Sequence, residues 1–515
     1  MPPGEVVGSP RPTFVTRALL GLVGMALLFA AAPLRGFPAR RAGVAEPPAP
    51  QGTVAFNDFR ISQMGTDGDV GSAGQLAAVA YNGTDGEYLV VWQGLHLGET
   101  EIYGQRLDAE GQEIGSDDFR ISQMGTDGDT DFTADTPAVA YNSTNNEYLV
   151  VWAGTRAMLE PSSGFFAPDV EVFGQRINAS TGALIGGNFQ ISDMGPDNSA
   201  GYHATRPDVA HNSVDNEYLV VFEGEDPADH SSQPHEIHGQ RIDGATGNEL
   251  GGNDFLISSL AGGRAFRDFE PAVAHNQTGN YYSVVWQGTR LTDSVNLWKY
   301  DIRGEILLPT GVPLTPGGPW WYSYMGSTTS HDALSPDVVY NGTDDEFLIV
   351  WRGTTSRGDL VTGEFEIFGQ LIHGAGGEFG ADDFRISDMG ADGDHSVDAL
   401  PPAVAYNPTV GGYLVVWAGD DGTGTLAANE LEVFGQRLES ETGAEIGPND
   451  LRISMMGPFG DADFQARAPD VARGVRRRYL IVWDGEDNTG ALVDGEWEIF
   501  GQLLDILHLG FFIGE

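Results

Sequence analysis

The chain has 515 residues, 71 of them glycine, and aromatic residues make up 10%. Lys plus Arg total 27 against 74 Asp plus Glu, a formal net charge of -47 that argues against nucleic acid and anionic lipid as partners. The lack of cysteine rules out disulfides and thiolate chemistry; in an exported chain it points to a bacterial or archaeal source.

Arg11 and Arg17 precede an apolar run from Ala18 to Ala32. A basic stretch followed by a short apolar core is expected to be an export signal or, if uncleaved, an N-terminal anchor, so residues 1–32 take that role. Cleavage is expected near Ala45, and residues 33–52 read as a Pro/Ala-rich linker. The expected location is secreted or cell-surface. No later run is apolar and long enough to span a bilayer as a helix.

Residues 53–515 repeat four short signatures in a constant order. They are Phe-Arg-Ile-Ser (59–62), Pro-Ala-Val-Ala-Tyr (weakened at 77–81), Tyr-Leu-Val-Val-Trp (88–92) and Glu-Ile-Tyr-Gly-Gln-Arg-Leu (101–107). The third ends at Trp92, Trp152, Phe222, Trp286, Trp351, Trp417 and Trp483. The fourth carries its glycine at Gly104, Gly174, Gly239, Gly304, Gly369, Gly435 and Gly501. In one later copy Pro313–Tyr324 replaces the first signature. Each run is rich in β-branched or aromatic residues and bounded by Gly, Asn, Asp and Ser, as strands are. Four strands repeated seven times predict an all-β, seven-bladed β-propeller of four-stranded antiparallel blades.

Tyr88–Trp92 is apolar in both phases, as in a strand buried on two faces, whereas Phe59–Ser62 alternates and reads as an edge strand. The repeated Trp is expected to wedge between blades and to lie over the mid-strand glycine. The repeated acid before it (Glu101, Glu171, Glu236, Asp301, Glu366, Glu432, Glu498) is expected to answer backbone N–H groups. The strand at 59–62 is expected to pair beside Glu498–Leu504 and close the ring, with residues 505–515 as the competing closure. Short links after Tyr-Asn and after the fourth signature fall on one face, and long, variable links fall on the other. The long-loop face is therefore the expected binding face.

Alternating aspartates recur in the long links: Asp67 and Asp69; Asp127, Asp129 and Asp131, with Asp135 close by; and Asp392 and Asp394. Carboxylates spaced through a glycine-containing loop suit Ca²⁺, although plain turn formation uses the same residues. His230, His235 and His238 lie close in sequence without a zinc spacing, and His203, His331 and His395 fall on the long-loop face. No nucleophile elbow or phosphate loop is present. Sequons at Asn82, Asn142, Asn276 and Asn341 read first as turn chemistry.

The motifs Pro-Ala-Val-Ala-Tyr-Asn, Tyr-Leu-Val-Val-Trp and Glu-Ile-Phe-Gly-Gln-Arg-Leu resemble repeats of secreted bacterial β-propeller proteins of unassigned function, over residues 59–507. The aspartate loops bear only a faint resemblance to integrin-type calcium-binding propeller repeats, whose Phe-Gly…Gly-Ala-Pro pattern is missing. The resemblance implies a propeller outside the cytoplasm. The expected function is a monomeric recognition or adhesion scaffold for a protein or glycan. The enzymatic alternative is a propeller-type polysaccharide lyase or glycoside hydrolase, and the third reading is a purely structural surface protein.

Overall fold

The structure is a computed structural model. It describes residues 58–159, 166–195, 202–225, 235–258, 267–291, 298–326, 331–355, 360–361, 363–394, 396–421, 426, 429–458, 460–487 and 492–506. The export segment, the linker, His230, His395 and residues 507–515 lie outside the described residues. Among the described residues every regular element is a β-strand, and no helix is long and apolar enough to cross a membrane.

The first complete sheet shows the plan. Its strands run Ala73–Asn82, Glu87–His96, Glu99–Leu107 and Glu113–Arg120, each antiparallel to the next. Five sheets have four strands. A sixth has eight, but its halves are antiparallel four-stranded sets joined by the single parallel pair His203↔Val170. The first strand of each set is innermost: Ala73–Asn82, Thr133–Asn142, His203–Asn212, Asp268–Asn276, Ala333–Asn341, Ala403–Asn407 and Ala466–Arg473. Each inner strand touches the next, and the last touches the first, so they form a closed ring.

The ends of the chain close that ring. Phe59 and Arg60 pair with Gly501 and Phe500, on the outer edge of the last sheet. Ser62 donates its hydroxyl to Glu498 and accepts from the N–H of Ile499 at 2.7 Å, while the N–H of Met64 reaches Glu498 at 2.9 Å. The expected closure by residues 59–62 is present. The divergent copy still supplies an outer strand, Trp320–Trp321, against Arg303 and Gly304.

The sheets pack face to face through apolar layers. Trp92, Trp152, Trp286, Trp351, Trp417 and Trp483 are fully buried. Trp92 packs with Leu480, Val482 and Ile499 of the neighbouring sheet, which is the wedge expected of it. The mid-strand glycine has a different neighbour from the expected Trp. A Cβ on Gly104 would meet Ile121 Cδ1 at 2.8 Å, and one on Gly435 would meet Ile453 Cδ1 at 2.8 Å. The isoleucine of Phe-Arg-Ile-Ser crosses the outer pairing and fills that space, so the glycine admits the next strand's side chain.

The repeated acid answers backbone N–H groups as expected. Glu432 accepts from Met456 N–H at 3.0 Å, the Ser454 hydroxyl and Arg452. The turn asparagines do the same locally: Asn82 Oδ1 accepts from the N–H groups of Thr84 (2.8 Å) and Asp85 (3.1 Å). Asn82, Asn142 and Asn341 are fully buried, so these sequon side chains serve the turns.

Candidate functional site

The closed ring of inner strands leaves two cavities, one at each end. The larger, of about 840 Å³, opens among the tight turns; the smaller, of about 390 Å³, opens where the long links enter the inner strands. Loop variability points to the second mouth, but the size of the cavity points to the first.

The turn-mouth cavity is built from one repeated position, the last before the tight turn, which opens with asparagine in six copies and with Gly474 in the seventh. Strand alternation turns it into the channel, and closure brings its copies together. They are Tyr81, Tyr141, His211, His275, Tyr340, Tyr406 and Arg473. Each of the first six rests against an aromatic ring of the second strand, as Tyr81 does on Tyr88 (5.1 Å between centroids), His211 on Tyr218 (5.2 Å) and His275 on Tyr282 (5.1 Å). Hydroxyls tie the rim together laterally: Tyr141 Oη lies 2.6 Å from Thr84 Oγ1, and Tyr406 Oη lies 2.7 Å from Thr343 Oγ1. Rings held this way are preorganised.

The electrostatics of this cavity oppose those of the whole chain. Its lining contains no Asp or Glu, yet it holds Arg473 and two imidazoles. Arg473 is exposed and stands 5.8 Å from the ring of Tyr81. Burial pushes His211 down to about 4, helped by the neighbouring His275, against the pull of Asn216. Burial also lowers His275, whose Nε2 lies 3.1 Å from Asn280 Oδ1. Both imidazoles are therefore neutral at pH 7. The strand of Arg473 is three steps round the ring from the strands of both histidines, so the three residues line one cavity from opposite sides of the ring.

The long-loop mouth is built from strained backbone. Thr136, Arg206, Glu270 and Ser335, each just before a proline, have φ of 48°, 49°, 51° and 51°. The register shifts beside them, between Asp135 and Ala138 and between Thr205 and Asp208 for instance. Such bulges re-aim side chains at a sheet end. Deeper in, Asp208, Asp337 and Asp470 are half-buried, and each staples the next inner strand: they accept from the N–H groups of Val273 (2.7 Å), Val404 (2.8 Å) and Val79 (2.7 Å). Burial, with the negative charges of Asp208 and Asp470, pushes Asp337 up to about 8.

The three aspartate loops are built alike. Asp67, Asp127 and Asp392 pair with Arg60 (2.8 Å), Arg120 (2.7 Å) and Arg385 (2.8 Å). Asp69 Oδ1 accepts from Gly71 N–H at 3.0 Å, Asp129 Oδ1 from Asp131 N–H at 3.2 Å, and Asp394 Oδ1 from Ser396 N–H at 3.0 Å. Asp135 belongs to an inner strand, beside the Thr136 hydroxyl at 3.2 Å. Among the described residues no three His, Asp or Glu groups are arranged to hold a metal ion. His238 is buried against Phe222, and His235 lies against Phe269 with its ring tilted by 40°.

No sequence-derived candidate was His211, His275 or Arg473. The signal that finds them is the column before the tight turn, where tyrosine gives way to histidine twice and to arginine once.

No protein-family model matches the chain, and no curated protein matches it in sequence. Among solved structures, an ulvan lyase described as a new family of polysaccharide lyase, bound to a GlcA–Rha3S repeat, has a TM-score of 0.50 at 9% identity, over 87% of this chain and 95% of its own. The Penicillium chrysogenum α-L-arabinanase complexed with arabinobiose has a TM-score of 0.44 at 11% identity, over 88% of this chain and 99% of its own. At such identities the likeness concerns the fold: the chain is an all-β propeller of four-stranded antiparallel sheets.

Proposed function

We propose that the chain is an exported, seven-bladed propeller that binds an acidic polysaccharide in the turn-mouth cavity and cleaves it by β-elimination. The eight-stranded sheet counts as two blades in this reading, because one parallel residue pair joins its halves. Export rests on the basic and apolar stretch through Ala32.

The observation that carries the reading is that Arg473 and two neutral imidazoles line one cavity whose lining has no carboxylate. Glycoside hydrolysis usually needs two carboxyl groups, and this cavity supplies neither. Elimination needs a cation to hold the substrate carboxylate, a base for the proton beside it, and an acid for the leaving oxygen. Arg473 supplies the first and His211 or His275 the second, and a tyrosine of the rim the third. The C–H bond breaks as the proton moves to the imidazole. Its electrons form the new C=C bond, and the glycosidic C–O bond breaks towards the protonated leaving oxygen. The ulvan lyase among the fold neighbours supports a glycan ligand by analogy.

Incubating the full chain with polygalacturonate and alginate, and following the ultraviolet absorbance of the unsaturated product, tests this. Turnover abolished by Arg473→Ala and by His211→Ala supports it. Binding without turnover returns the chain to a recognition scaffold, and neither binding nor turnover overturns the reading.

Calcium at Asp127, Asp129 and Asp131 is a separate proposal, resting on loop composition. Melting of the full chain with excess Ca²⁺ or with chelator tests it by mass action, and an unchanged midpoint removes it.

A further inference from the structure

The long-loop mouth carries a second arrangement that the turn-mouth cavity does not use. In each strand set one residue stands just before the repeated acid of the third strand. In four sheets that residue is His235, Tyr300, Phe365 or Trp497, each half-buried. Phe269 fills the gap between the first two. Its ring lies 4.6 Å from His235 and 6.3 Å from Tyr300, centroid to centroid, so three rings from two neighbouring strand sets form one row. Phe365 continues the series under the guanidinium of Arg352 at 4.0 Å.

The row is rigid and edged by polar groups. Tyr300 N–H donates to Asp332 at 3.0 Å, and His235 Nε2 lies 3.4 Å from Glu225. Beside Phe269, the strained Glu270 accepts from the Ser335 hydroxyl at 2.7 Å and faces Arg206 at 3.9 Å. Half-buried rings alternating with hydrogen-bonding groups differ from a continuous apolar patch, which would suit a protein or lipid. A pyranose has an apolar face and a belt of hydroxyls, and this row offers the complement of both. Glu223, Glu225 and Glu270 at the same rim repel a polyanion.

We infer that the row His235–Phe269–Tyr300 is a binding surface for a neutral polysaccharide chain, at the end of the channel opposite the turn-mouth cavity. This inference is independent of the elimination reading. The two sites differ in the charge of the glycan each accepts.

Native gels cast with xylan, laminarin or mannan test it on the full chain. The wild type is retarded in at least one, and the double variant Phe269→Ala/Tyr300→Ala raises the apparent Kd about tenfold, the loss of one stacking anchor or more. Tyr300→Trp keeps the retardation, and Trp320→Ala, an exposed ring on an outer strand, leaves it unchanged. Melting midpoints of all variants separate lost binding from lost folding. No retardation of the wild type in any neutral gel, or equal retardation of wild type and double variant, overturns the inference. Arg473→Ala, which empties the other mouth of its cation, leaves neutral-glycan retardation intact; a loss there also overturns it.

Discussion

The carboxylate of Asp470 accepts a hydrogen bond from the backbone N–H of Val79 at 2.7 Å, joining the last inner strand to the first across 391 residues. Asp208 and Asp337 make the same staple within the ring, to Val273 and Val404. Each of these bonds is half-buried, at the wall of the long-loop cavity. Asp470→Ala is therefore expected to destabilise the chain by about 0.5–1.5 kcal/mol, the net worth of one such hydrogen bond, whereas an alanine at the exposed Asp127 changes little. Thermal melts of the two variants decide this.

Stability should fall as pH rises. Burial holds Glu366, Glu432 and Glu498 at about 7 in the fold, and burial with neighbouring carboxylates holds Asp337 at about 8, above the ordinary 4.5 and 3.8. A carboxyl whose folded pKa is raised binds its proton more tightly in the native state. Its contribution is complete below the unfolded pKa and is lost as pH rises through the folded one. The melting midpoint is expected to drop between about pH 5 and pH 9, and Asp337→Asn should flatten the upper part of that drop. A midpoint that rises over this range would contradict the assignment.

Trp417 is fully buried, and its Nε1 lies 3.3 Å from the sulfur of Met389. Trp417→Ala is expected to cost about 3–5 kcal/mol, as emptying a large aromatic from a core does. Denaturant titration measures it. Retained stability with lost glycan binding would make the ring a ligand contact.

The closing strand is short but heavily bonded. Ser62→Ala removes both the hydroxyl given to Glu498 and the acceptor for Ile499 N–H, and should cost about 1–3 kcal/mol by leaving a buried donor unpaired. Deleting residues 53–62 should unfold the last sheet and promote aggregation through its exposed edge. Deleting 509–515 should do far less. Size-exclusion profiles and melts of the two truncations compare them, and the reverse order of damage would refute this closure.

Strand identity and closure were legible because they rest on local alternation. Tyr88–Trp92 can only be a doubly buried strand, and Phe59–Ser62 matches the other outer strands. The neighbour of Gly104 was not legible. The Ile121 side chain reaches it across a pairing whose register shifts between Gly104 and Arg106, and that shift has no signature in a single strand. The site was hidden for another reason. His211, His275 and Arg473 lie 64 and 198 residues apart in sequence order, and they share a cavity only once the ring has closed. Loop length drew attention to the other mouth, whose aromatic row depends on two neighbouring strand sets packing against each other.

The bond between Ser62 and Glu498 spans 436 residues, so one of the first strands made must wait for one of the last. At ~5–20 residues per second of synthesis, that wait is on the order of 20–90 seconds. Through that interval the ring lacks its final join, and an inner strand and an outer strand each stand without a partner. A chain threaded across a membrane before it folds loses nothing by this delay. A chain folding as it emerges from the ribosome would carry an open edge for the whole interval and would need a chaperone to cover it.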